Sequence, residues 1–395
     1  MVSDVYFPRV NGVSTSIATF RRALAEQGHD VCLIAPDYGQ RAGDDSGIFR
    51  IPARTVFLDP EDRMMKAGAV LALEDRLREC AFDLLHVQTP FIAHRVGLVL
   101  AGRLGLPVVE TYHTYFEEYL YHYVPFLPRR MMRAAARRFT RAQCNRMDAV
   151  IVPSQAMQDA LGSYGVHTPL TVIPTGLEPQ SYRSYSRTAF RAQHSIPADR
   201  PVLVHVGRVA HEKNIGFLLE VLEEVRRVFP EVLLVIAGEG PARRSLRKRV
   251  RDRGLAASTL FVDYLPRGPA LWECYCSGDV FVFASATETQ GLVLLEAMAL
   301  GIPVVSTAHM GTRDILAAGR GALVSDGTLA DFAAKVCTVL GRTGLRTQLA
   351  QEARDYAREW SAGRMAARLA GCYARIAARE PASGMPEQRH TSAAG

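Results

Sequence analysis

The chain has no run of about 20 apolar residues, the length a bilayer-spanning helix needs. Its longest apolar stretches, such as VFVFASA at 280–286, are strand-sized. The opening MVSDVYFPRV lacks a basic segment followed by a long apolar core, so no secretory signal is expected there. Cysteine is sparse and scattered: Cys32, Cys80, Cys144, Cys274, Cys276, Cys337 and Cys372, with one C-x-C at 274–276 and no second pair to complete a zinc site. Reduced thiols in a cytoplasmic protein fit that pattern. No D-x-D occurs anywhere, which removes that carboxylate route to a divalent metal. Lysine is scarce too: of 47 basic residues only Lys66, Lys213, Lys248 and Lys335 are lysine. A lysine in a functional-looking loop therefore stands out.

What is present is balanced. At 395 residues the chain is too long for one ordinary core, so two domains are expected. With 48% hydrophobic and 22% charged residues, it has the composition of a soluble globular protein. The formal charge of +7 points to anionic partners without choosing among phosphates, lipid headgroups and nucleic acid. A nucleic-acid reader would need aromatic platforms or a reader motif, and neither is found, so no nucleic acid is expected.

Strand-like runs at 31–36, 84–90, 107–114, 149–154 and 170–176 alternate with helical spacing at 13–28 and 133–147. A polar stretch, 177–200, reads as a linker with a short helix. A second series follows at 201–209, 232–240, 259–265, 280–286 and 303–307. This order predicts an α/β protein of two Rossmann-like, doubly wound parallel-sheet domains, with ligands at the carboxyl ends of the strands. The expected domains are 1–176 and 177–361, with a helix over 362–378 joining the first domain and a disordered tail at 379–395. The first strand reads as short, as if the chain began late.

Four loops carry candidate chemistry. In YFPRVNGVSTSI (6–17), Gly12 lets a ligand approach the backbone at a helix N-terminus, a generic anion site without the spacing of a dinucleotide fingerprint. In GRVAHEKN (207–214), Arg208 and Lys213 lie five residues apart around a turn where both can reach a diphosphate. AGEGP (237–241) reads equally as a structural turn or a phosphate neighbour, and RRSLRKRVRDRG (243–254) as a solvated helix face. In ATETQGLVLLEAMALGIPVV, Glu288 precedes Gly291 in a loop and Glu296 lies inside an apolar helix. The amides of Thr289, Gln290, Gly291 and Leu292 suit a diphosphate, and a carboxylate on either side suits a vicinal diol: Glu296 a ribose, Glu288 a sugar. A nucleotide sugar has that order of parts. The buried charge at Glu296 then implies a diol partner or solvent in the empty cleft, and an internal arginine paired to it would count against this reading.

Together these residues resemble the family 4 retaining glycosyltransferases of the GT-B fold, which carry a Glu, seven residues, Glu signature. The resemblance spans about 1 to 378 and covers the Gly12 loop, Arg208, Lys213, Glu288 and Glu296. It implies that Glu296 holds the ribose and Glu288 the transferred hexose, while Arg208 and Lys213 neutralise the leaving diphosphate. His113, in TYHTYFEEY, matches a histidine placed near the donor sugar and its phosphate. The implied reaction is a metal-independent front-face displacement with no cofactor.

Within the family, FPRVNGVSTSI and YHTYFEEYLYHY (112–123) look most like the branch of the diacylglycerol glucosyltransferases, implying UDP-glucose as donor and a membrane lipid as acceptor. Relatives that use GDP-mannose, with lipid-linked or glycan acceptors, are the alternative. The base-reading region is placed at DYLPRG (263–268), where Asp263 stands in place of a glycine common in relatives. Residues 129–146 hold seven arginines and no acid, interleaved with Met131, Met132 and Phe139 and preceded by Leu127. Arg129, Arg130, Arg133, Arg137, Arg138 and Arg141 are read as contacts to an anionic membrane, so a cytoplasmic enzyme peripheral to the inner face of the plasma membrane is expected. A phosphorylase would need a lysine in a cofactor loop, which neither Lys248 nor Lys335 supplies. A non-catalytic nucleotide-sugar or membrane-binding protein of the same fold is the remaining contrast.

Overall fold

Short apolar runs closed by glycine, proline and polar residues fold as buried parallel strands in a computed structural model that describes residues 1–39, 47–56, 59–113, 115 and 129–378. In the second half, strands Val202–Val206, Leu233–Ala237, Thr259–Val262, Val280–Phe283, Val304–Thr307 and Ala322–Ser325 form one six-stranded sheet. The third strand in sequence lies at one edge, then the second, the first, the fourth, the fifth and the sixth, all parallel. Both faces are covered. Val202, Val204 and Val206 pack with Trp272, Tyr275 and Phe281, whereas Leu203 and Val282 pack with helix Ile215–Arg226. Two buried faces explain why these strands read as continuous apolar runs rather than alternating ones.

The first half repeats the plan. Strands Leu85–Val87, Val108–Thr111, Ala149–Val152 and Leu170–Val172 run parallel in that order, and Leu33–Pro36 pairs with Ile48–Ile51. The two pieces join through Val2, which bridges Ile34 on one side and Val87 on the other. The short first strand thus reduces to a single residue bridged on both sides. Strands Ile48–Ile51 and Ala322–Ser325, and the antiparallel pair Ala53–Val56 and Asp59–Met65, were not legible from the sequence.

The chain crosses between the halves twice at one place. Leu177 N donates to Trp360 O (2.7 Å) and Ala362 N to Leu177 O (2.8 Å). The strands pass so closely that a Cβ at Gly176 would lie 2.5 Å from the Ala362 backbone. After the return crossing, helix Ala362–Ala377 packs Met365, Leu369 and Ile376 against Phe20 and Leu24 of helix Gly12–Ala25. The tail 379–395 lies outside the described residues. In both sheets the strand order reverses at the first strand. That places the loops after Val2 and Leu85–Val87, and after Val202–Val206 and Val280–Phe283, at the crevices where such folds bind ligands.

Candidate functional site

On the second domain the site begins where strand Val202–Val206 ends at Gly207. Arg208 follows, exposed, with no described residue pairing with its side chain. Lys213 closes the single turn His211–Lys213, and Asn214 then takes a left-handed conformation (φ +53°) that starts the next helix. Asparagine is among the few side chains that adopt it readily. Lys213 Nζ is ion-paired with Glu288 Oε1, both side chains about one-fifth exposed. The two loops are also sewn together by Ser285 Oγ, which donates to Glu212 O (3.1 Å), and the Glu288 carbonyl accepts from Gly311 N (2.8 Å). The sequence-predicted cation and carboxylate therefore meet, 75 residues apart in the chain.

AGEGP is decided by packing. A Cβ on Gly238 would lie 2.0 Å from Gly207 O, and one on Gly240 2.5 Å from Val209 O. Val209 N donates to Glu239 O and Ala242 N to Val209 O. These glycines serve close backbone approach and buttress the Arg208 loop from behind. The basic helix Arg243–Asp252 is partly paired on its exposed face, through Arg243 with Asp263, Lys248 with Asp252 and Arg249 with Glu220. Asp263, expected near the base, is thus engaged by Arg243.

Gly291 (φ +92°) ends the loop that carries Glu288 and caps helix Leu292–Ala299 without a side-chain cap, so its first amides keep no intrahelical partner. Thr289 is half-buried in that loop and Leu292 is the first helical residue. The expectation for Gln290 concerned its backbone amide; its buried side chain is engaged by the Thr175 backbone of the first domain.

Glu296 departs from expectation. It is 2% exposed on a helix that is otherwise apolar on every buried position, and its charge is met from within. Arg267 Nη2 lies 2.7 Å from Oε1, and the Tyr275 hydroxyl donates to Oε2 at 2.7 Å. The Arg267 guanidinium in turn sits over the Trp272 ring. Burial, then the adjacent Glu296 charge, pushes the Tyr275 phenol well above its ordinary range. A carboxylate this deep needs compensation whether or not a ligand binds, and Arg267 supplies it. The buried charge is therefore no evidence for a diol. A carboxylate has about four lone-pair sites, so two partners still leave room for ribose hydroxyls, but the ribose role rests on the signature alone.

On the first domain Asn11 caps helix Gly12–Ala25 by accepting from Ser14 N (2.9 Å). A Cβ at Gly12 would meet nothing within 4 Å, so internal packing does not require glycine there. His113 donates from Nε2 to Gln88 Oε1 (2.9 Å). Burial lowers its pKa to about 4, so near neutral pH the ring is uncharged and presents Nδ1 as an acceptor. Asp4, beyond the Val2 bridge, was missed by sequence reading. Its carboxylate accepts from Thr89 Oγ1 (2.8 Å) and Ala93 N (3.1 Å), capping helix Ile92–Leu104, and burial raises its pKa to about 6. Residues 114 and 116–128, including most of YHTYFEEYLYHY and Leu127, lie outside the described residues.

The helix Arg129–Cys144 turns Met132, Ala136, Thr140 and Cys144 inward, a four-residue period. Arg130, Met131, Arg133, Arg138, Phe139 and Arg141 face outward, with Met131 63% exposed. Arg137, also exposed, lies over the Tyr164 ring. The Arg129 side chain lies outside the described ones. Met132, read as part of the membrane face, belongs to the core. Gln143 Nε2 donates to Pro90 O, which brings the helix beside the exposed Phe91. Among the described residues no helix is long and apolar enough to cross a membrane.

Comparison with known proteins agrees with this architecture. Residues 10–181 match Glycosyltransferase Family 4 and residues 186–356 match Glycosyl transferases group 1. The chain is 33% identical to the alpha-monoglucosyldiacylglycerol synthase of Streptococcus pneumoniae over 78% of its own length and 70% of that protein. It is 28% identical to a GDP-mannose-dependent alpha-mannosyltransferase of Mycobacterium tuberculosis, over 82% of each. The crystal structure of Anabaena HepE with UDP and glucose superposes with a TM-score of 0.74 at 17% identity, covering 95% of this chain and 99% of that one.

Proposed function

The chain belongs to glycosyltransferase family 4, with the GT-B fold, and from that premise we propose that it is a retaining enzyme moving an α-hexosyl group from a nucleotide-diphosphate sugar, best matched by UDP-glucose, to a membrane lipid such as diacylglycerol. The observation that carries the donor site is the Lys213–Glu288 pair at the sheet switch point, with exposed Arg208 earlier in the same loop as Lys213. Glucose and diacylglycerol are supported by the name of the pneumococcal relative. In this reading the diphosphate lies between the Gly12 loop and the amides of Thr289 to Leu292, Glu288 takes the hexose hydroxyls, Glu296 the ribose, and neutral His113 the donor sugar.

The C1–O bond to the leaving phosphate breaks, its electron pair going to the phosphate oxygen. The acceptor oxygen bonds C1 on the same face, and its proton passes to the departing phosphate. No protein nucleophile is required. Arg208, Lys213 and the helix terminus stabilise the developing negative charge, a role a metal ion fills elsewhere. We take the reaction to need neither metal nor cofactor. The mycobacterial relative favours a second reading, GDP-mannose with a lipid-linked or glycan acceptor.

The test is a donor panel of UDP-glucose, UDP-galactose, UDP-N-acetylglucosamine and GDP-mannose against diacylglycerol vesicles and membrane extract, with and without EDTA, read by product mass spectrometry. An α-glucosyl lipid from UDP-glucose, unchanged by EDTA, is expected. A mannosylated product selects the second reading, and no product from any donor overturns both.

The arginine-rich face of helix 129–144 supports a position at the inner face of the plasma membrane in this reading. Flotation should recover the chain with vesicles containing anionic lipid and not with neutral ones. Each basic residue near such a surface contributes about 1 kcal/mol, so replacing Arg130, Arg138 and Arg141 by glutamine should weaken vesicle binding on the order of 100-fold. Equal binding to neutral vesicles would remove the electrostatic part of this reading.

A further inference from the structure

Gln290 lies two positions after Glu288, yet its side chain leaves the second domain. Its amide nitrogen donates to Thr175 O (2.7 Å) and its amide oxygen accepts from Thr175 N (2.8 Å). Both residues are 8% exposed. A glutamine this buried must use both ends of its amide, and here one residue's main chain satisfies both. A two-point contact fixes orientation as well as distance. Thr175 continues the connection, since its Oγ1 donates to Ser16 Oγ at 2.7 Å, one turn into the helix that starts at Gly12. Thr175 also stands two residues before Leu177, where the chain crosses between domains. Three segments therefore meet at Thr175: the loop before helix Leu292–Ala299, the first turns of helix Gly12–Ala25, and the interdomain crossing.

We propose that Gln290 is a positioning residue for transfer: it ties the donor loop to Thr175 and, through Ser16, sets the separation of the two helix N-termini between which the diphosphate is read to lie. The proposal rests on that donor-site reading. Gln290 touches no reacting atom. It acts through the placement of Glu288 and the following amides, and a misplacement of about 1 Å can cost about 100-fold in rate. A second polar contact, Gln155 N donating to Asp314 Oδ2, joins the domains elsewhere, so loss of the Gln290 bonds leaves the two halves docked.

The test uses the full chain. Gln290→Met matches the length and removes both bonds, whereas Gln290→Glu keeps the acceptor for Thr175 N and loses the donor to Thr175 O. Thr175→Val removes only the link to Ser16. For Gln290→Met, kcat for the parent's donor should fall about 10- to 100-fold. Affinity for the nucleoside diphosphate, measured by calorimetry, should stay within about three-fold, because its diphosphate contacts remain. Amide hydrogen exchange should rise together in 9–16 and 286–292, and Gln290→Glu should behave likewise. Thr175→Val should raise exchange in 9–16 without 286–292. A kcat within two-fold of the parent overturns the proposal, as does a matched fall of kcat and nucleotide affinity with exchange rising across the whole second domain. The exchange measurement needs no substrate: a rise confined to one segment in Gln290→Met overturns the linkage whatever the donor. A parent that transfers no sugar overturns the donor reading separately.

Discussion

Lys213→Ala should lower turnover about 100- to 1,000-fold, the range typical for removing one group aimed at charge that develops in the transition state. Lys213 sits in the loop after the first strand of its sheet, the loop that also carries Arg208, whose side chain pairs with no described residue, and its ammonium is held by Glu288. In the proposed reaction the diphosphate gains charge as C1 departs, so the lysine matters more there than in the ground state, and kcat should fall further than nucleotide affinity. Lys213→Arg should not restore the rate, because a broad planar fork cannot occupy the place of a compact point charge already matched to Glu288. Glu288→Ala should be comparably damaging for a different reason: it removes the proposed hexose ligand and takes from Lys213 its ion-pair partner. A purely structural ion pair behaves otherwise, with Lys213→Met and Glu288→Leu together keeping activity while either alone lowers stability. Nucleoside-diphosphate-release kinetics on folded variants separate the cases. Should either single alanine variant retain full turnover, the donor pole has been assigned to the wrong residues.

The residues that were legible in the sequence are those whose meaning is local. Strand ends, glycine turns and a glutamate just ahead of an apolar helix each report their own surroundings, so the doubly wound plan and the loops that carry Gly12, Arg208, Lys213 and Glu288 could be read from short windows. Partners that lie far apart in the chain could not. Glu296 and Arg267 are 29 positions apart, and Gln290 and Thr175 are separated by 115. Nothing in VLLEAM tells that the buried carboxylate is met by an arginine from the loop after strand Thr259–Val262. Gln88 was equally silent, since a glutamine at a strand end acquires its role only once sheet order brings it beside His113. AGEGP stayed ambiguous for the same reason: a glycine needed to pass another backbone and one needed to admit a phosphate look alike until the neighbouring loop is seen. The first strand failed for want of length, Val2 alone making the bridges that a longer run would have announced.

Arg267→Ala should destabilise the second domain by about 3–5 kcal/mol, because it strands a carboxylate in an apolar helix. Glu296 is 2% exposed, and its remaining described partner would be the Tyr275 hydroxyl at 2.7 Å, which cannot balance a full charge. Tyr275→Phe should cost less, about 1–3 kcal/mol, since Arg267 stays and a single hydrogen bond is lost. Glu296→Gln combined with Arg267→Met should recover most of the loss by removing both charges together. Urea denaturation of the three proteins reads these differences directly. The same set separates packing from function at Glu296. If the carboxylate also receives the ribose, the recovered double variant will fold well yet bind the nucleoside diphosphate at least about ten-fold more weakly, the loss expected when a charged hydrogen-bond acceptor is taken from a buried diol. If Glu296 exists only to satisfy Arg267, the double variant will bind nucleotide like the parent. The second glutamate of the signature would then be a strut of the helix rather than a hand on the donor.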